Sequence, residues 1–149
     1  MRYLLFLLLF NLNLNAQILI PDEGCVKHIQ YSTKQVQEKL FGKQPSFQQP
    51  IVYIKYSPLF PTVLGLTRQL QPGYYIIDLN PIAGTDRLEW ILIHELVHVW
   101  QLHTRKLTKH PSGFEYDGKV YPIKYPYKLR PWEIEAETIT RQVCNPTLE

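Results

Sequence analysis

The sequence predicts an α+β domain on three observations. Ile51-Val52-Tyr53-Ile54-Lys55-Tyr56 and Tyr74-Tyr75-Ile76-Ile77-Asp78-Leu79 are dense in β-branched and aromatic residues and bounded by turn signals, as strands are. The run from Leu88 to Trp100 is apolar on nearly every side of a helix. A second helix is signalled by Pro131, which suits a first turn, followed by Trp132, Ala136, Ile139 and Val143 at spacings of four, three and four. Strands first and two long helices after them is the α+β order.

The chain opens on Met1-Arg2-Tyr3, a short apolar run from Leu4 to Phe10, polar residues and Ala16. This reads as a secretory signal peptide over residues 1–16, with Leu14 an imperfect fit to the cleavage site, leaving a domain over residues 17–149. The run is too short to span a bilayer, so the expectation is a secreted or periplasmic protein with no stable membrane anchor after cleavage. Cys25 follows Asp22-Glu23-Gly24, unlike a lipidated cysteine. With Cys144 it makes the chain's only cysteine pair, which outside the cytoplasm is expected to be a disulfide. Closing so long a loop would stabilise by about 4 kcal/mol on chain-entropy grounds.

Residues 31–41 read as a short helix begun by Ser32 or Thr33, with Val36, Leu40 and Phe41 inward and Gly42 ending it. Residues 45–50 are a loop, and the strand at 51–56 stops at Ser57-Pro58. A weaker strand over residues 62–69 is broken near Gly65, and Pro72-Gly73 turns the chain into the strand at 74–79. After a turn over residues 80–84, Thr85 or Asp86 is expected to cap the long helix, with Glu89 in a capping-box position. Residues 110–130 hold Pro111, Gly113, Gly118, Pro122 and Pro126, and read as an ordered loop or hairpin.

At 149 residues and 45% hydrophobic content, one domain with a modest core is expected. Sixteen basic and thirteen acidic residues leave +3, and losing Arg2 with the signal makes it 15 − 13 = +2. The charge is small and scattered, so no nucleic-acid partner is expected.

His94-Glu95-Leu96-Val97-His98 carries the chemistry. Two histidines four residues apart share one helix face, where both imidazoles can reach one zinc ion while Glu95 projects beside them. Catalytic zinc takes three protein ligands and leaves a position for water, whose pKa it lowers to about 7. Glu95 would act as general base toward that water and then pass the proton to the leaving amine. At this composition a chance HExxH should arise in roughly one such chain in a hundred. Two imidazoles and a carboxylate are costly in so apolar a helix without a purpose. Arg87, His94 and Gln101 recur every seven residues and with His98 form a polar stripe expected to face a cleft.

A third ligand must come from elsewhere. Glu133, Glu135 and Glu137 occupy the first two turns of the second helix, where the helix dipole alone would account for three solvated acids. The pairing of His94-Glu95-x-x-His98 with Glu133-x-x-Ala136-Glu137 resembles the gluzincin zinc metallopeptidases, and Pro-Trp-Glu-Ile-Glu-Ala is similar to the corresponding helix of small exported or phage-borne proteins classed as metallopeptidases. The resemblance covers mainly residues 74–143. It implies a zincin-like fold, a small sheet packed on the HExxH helix, and a C-terminal helix whose Glu133 is the third zinc ligand. By the same match Glu137 would orient His94, though the family usually has Asp there. Glu135 competes with Glu133 for the ligand role, and a three-histidine site would use His103 or His110 instead.

The activity implied is that of a zinc peptidase acting on a peptide or protein substrate. An edge strand, residues 62–69 or 74–79, would pair with the substrate. Tyr116, Tyr121, Tyr125 and Tyr127 are the available donors for the oxyanion. The alternative is a zinc-containing binding or interaction module without turnover. Retention of Glu95 favours the enzyme, since a structural zinc site has no use for a general base.

Overall fold

The structure is a computed structural model that describes residues 18–19, 36–42 and 49–144. The signal segment, Cys25 with its expected bridge, and the Ser32 or Thr33 cap lie outside the described residues. Four strands form a mixed sheet: β1 (Ile18–Leu19), β2 (Ile51–Tyr56), β3 (Gly65–Gln71) and β4 (Tyr74–Leu79), in the order β1-β2-β4-β3. β2 and β4 run parallel from Ile51↔Tyr74 to Tyr56↔Leu79. β3 returns antiparallel to β4 through the turn at Pro72-Gly73, where Gly73 takes a φ of 81° that favours glycine. Among the described residues β1 and β3 are the sheet's edges and β4 is internal.

Alternation along the strands sorts the faces. Val52, Ile54, Tyr75, Ile77 and Leu79 are buried against α1 (Thr85–His103), which answers with Leu88, Ile91, Leu92, Leu96 and Val99. On the other face Asp78 is also buried. It accepts from Ser57 Oγ at 2.8 Å and Arg68 Nη2 at 2.6 Å, with Lys55 Nζ at 3.4 Å. Burial alone would raise its carboxyl, but these partners outweigh burial and lower it, so the charge is kept. Residues 37–41 form a single π-helical turn rather than a regular helix end, with Val36 and Phe41 inward as expected.

Helix α1 begins one residue earlier than the expected caps allow. Its N-cap is Gly84 at φ 70°, and Thr85 and Asp86 already stand in the first turn. The turn before it is organised by Asn80, whose side chain accepts from Ile82 N at 3.3 Å and donates to Val63 O at 2.9 Å. Replacing Leu92, fully buried in this core, with Ala should cost about 2–5 kcal/mol, read as a lower denaturant midpoint at unchanged slope.

Beyond α1 the expected loop or hairpin is a three-stranded antiparallel meander of β5 (Leu107–His110), β6 (Gly113–Tyr116) and β7 (Lys119–Pro122). Asp117 and Gly118, at φ 48° and 76°, close the second hairpin with the two positive dihedrals of a type I′ turn. Leu107 and Tyr116 pack on Trp132 at the start of α2 (Pro131–Cys144). Trp132, Ala136, Thr140 and Val143 are the buried residues of α2, and Thr140 satisfies its hydroxyl by donating to Ala136 O at 2.7 Å. No helix among the described residues is long and apolar enough to cross a membrane.

Candidate metal centre

His94, His98 and Gln101 of the polar stripe turn toward α2, where the two histidines meet Glu133. His94 Nε2 and His98 Nε2 are 3.1 Å apart, and each is 3.3 Å from Glu133 Oε2. Tetrahedral zinc, with bonds of about 2.0–2.2 Å, holds neighbouring ligand atoms about 3.3–3.5 Å apart. The donor set and its spacing therefore fit such a cation, and these three residues form the group able to hold a metal among the described residues. Their side chains are 12–14% exposed, enough for access and too little for full hydration.

The electrostatics agree with a cation-binding pocket. Burial would raise the Glu133 carboxyl, but His94, His98 and the Tyr127 hydroxyl hold it far below the ordinary glutamate value, so it is anionic. Burial would likewise lower His98, yet the Glu133 contact, the charges of Glu95 and Glu133, and Gln101 raise it.

Glu95 stands outside this triangle. It is buried, and the edge strand presses on it: Thr67 Oγ1 donates to its Oε2 at 2.7 Å, and a Cβ on Gly65 would come within 2.7 Å of its Oε1. The charge of Glu95 acts on both His98 and Tyr127.

Several expectations are corrected. Glu137, expected to orient His94, accepts from Arg141 Nε and Nη2 at 3.1 and 2.9 Å, one turn along its own helix. Glu135, the competing ligand, is bound by Lys106 Nζ and by Gln101 Nε2 at 2.9 Å. His103 packs edge-on against Phe41 and Tyr75, with Nδ1 3.4 Å from the Tyr75 hydroxyl. His110 pairs with Ser112 in the β5–β6 turn, at 2.8 Å. Neither belongs to the cluster.

Of the four tyrosines, Tyr127 lies beside Glu133, and burial first and then that carboxylate push its hydroxyl up, keeping it a donor. Tyr116 shares Lys106 and Glu135, and burial with the Glu135 contact pushes it up to about 12. Tyr121 packs edge-on against both Tyr125 and Trp132.

Gly65 and Thr67 beside Glu95 are not marked in the sequence, since nothing local signals a partner about thirty positions away. Gln101 stood on the polar stripe three residues after His98, a visible signal whose meaning needed the fold. Comparison with known proteins finds no matching family model, no matching curated protein and no matching solved structure.

Proposed function

We propose that this protein is an exported zinc-dependent peptidase of zincin type. The observation that carries the reading is the 3.1–3.3 Å triangle of His94, His98 and Glu133 with a buried carboxylate, Glu95, beside it and outside it. Two imidazoles and one carboxylate are the donor set of catalytic zinc sites that leave a coordination position open. Zinc held by His94, His98 and Glu133 would make hydroxide available from water near neutral pH and would act as a Lewis acid toward a carbonyl.

The chain's own groups do the rest. Thr67 engages Oε2 of Glu95, which leaves Oε1 to take the attacking water's proton and deliver it to the leaving amine. Tyr127, kept protonated, is the tyrosine best situated to donate to the oxyanion. An extended substrate would add to β3, because both edges of β4 are already paired. The export signal read at residues 1–16 supports action outside the cytoplasm.

Metal analysis of the purified mature protein, with peptide-library cleavage measured before and after a chelator, tests the reading. One zinc per chain and cleavage that is lost on chelation and restored by zinc are expected. Stoichiometric zinc without cleavage would favour the binding-module alternative.

A further inference from the structure

His98 offers Nε2 to the metal-binding triangle only if its proton sits on Nδ1. A neutral imidazole carries one N–H, and which nitrogen holds it is set by the partner of the other. Here Nδ1 is 2.8 Å from Gln101 Oε1, an acceptor that demands a donor. The orientation of the Gln101 amide therefore decides the matter. A flipped amide would turn its NH₂ toward Nδ1, force the proton onto Nε2 and aim it at the metal-binding atoms.

The surroundings forbid the flip. Gln101 is fully buried, and its Nε2 donates to Trp132 O and to Glu135 Oε2, both at 2.9 Å. Flipped, the fully buried amide oxygen would face a backbone carbonyl and a carboxylate, setting three acceptors together without a proton among them. Lys106 holds Glu135 in place, and Tyr116 joins both. Burial would lower Lys106, but Glu135 and Tyr116 outweigh it and keep the ammonium charged.

We propose that Gln101, fixed by Trp132 O and Glu135, is the positioning residue that holds His98 in the tautomer whose Nε2 lone pair binds the metal. This rests on the metal-binding part of the function proposed above and not on turnover. It also gives Glu135 a role: the acid that seemed a rival ligand acts two bonds away, through the amide.

The two ends of the amide can be separated by substitution. Gln101→Met keeps volume and removes both ends. Gln101→Glu keeps an acceptor for Nδ1–H and loses the donor to Trp132 O and Glu135. Zinc affinity of the full mature chain, by competition with a chromophoric chelator, is measured beside the urea midpoint of each metal-free variant.

Gln101→Met should bind zinc about 10–100-fold more weakly, the usual loss when a metal-bound histidine loses its hydrogen-bond partner. Gln101→Glu should bind within a few fold of the parent or tighter, although its metal-free form is less stable. If Gln101→Met binds like the parent, or if zinc affinity falls equally in both variants, the inference is overturned. Should Gln101→Met fail to fold, Gln101→Glu decides alone: parent-like affinity at reduced stability supports the role, and parallel loss of both refutes it. A parent chain that takes up no zinc would instead remove the metal reading itself.

Discussion

Glu95→Gln should keep its zinc and its fold while peptide hydrolysis drops by about 10² or more, the low end for losing a general base. The substitution preserves the volume in the tight space beside Gly65 and Ile91, and the new amide oxygen can still accept from Thr67. What disappears is basicity, because an amide cannot take the water's proton. Glu95 is also not one of the three metal-binding residues, so zinc content should not change. Zinc content and initial rates on a cleaved peptide, measured together, check this. A variant that cleaves as well as the parent, or one that sheds its zinc, would sink the mechanism.

Glu133→Gln should do the reverse and lose zinc first. Its Oε2 contacts both imidazole nitrogens, so the substitution removes the site's only ligand charge. The loss of affinity should exceed the roughly 10–100-fold cost of losing an outer hydrogen-bond partner, and His94→Ala should not retain stoichiometric zinc through purification. Stoichiometric zinc in either variant would refute the ligand assignment.

Acidification should mimic these losses in the parent. His98 sits above its ordinary pKa in the metal-free protein, so protons displace zinc as pH falls through that raised value. The metal-free fold responds with the opposite sign: a raised histidine adds stability that is complete below its unfolded pKa of about 6.5 and is lost as pH rises through the folded value. Zinc retention and the metal-free melting temperature, each followed from pH 5 to 8, should therefore move in opposite directions.

The sequence by itself determined the α+β order, the two long helices, the pairing of His94 with His98 and the shortlist that contained Glu133. All of these follow from periodicity within a single element, and a four-residue spacing puts two side chains on one helix face whatever surrounds them. The residues alone left Glu133 and Glu135 as competitors, because acids are equally acceptable throughout a helix N-terminus, and it was the family resemblance that favoured Glu133 and gave Glu137 to His94. The packing of α2 on α1 turns Glu133 to the histidines and Glu135 to Lys106 and Gln101, and leaves Glu137 to Arg141.

The strand pairings were equally out of reach of local pattern. Residues 62–69 and 74–79 both read as strands, the first being Gly65–Gln71 in the structure, but which one is the edge depends on β2 pairing with β4 past the intervening β3. That pairing brings Thr67 against Glu95 and leaves the outer side of β3 unpaired among the described residues. The hydrogen-bond partner of Glu95 and the proposed substrate edge are thus products of long-range packing, which no spacing along the chain encodes.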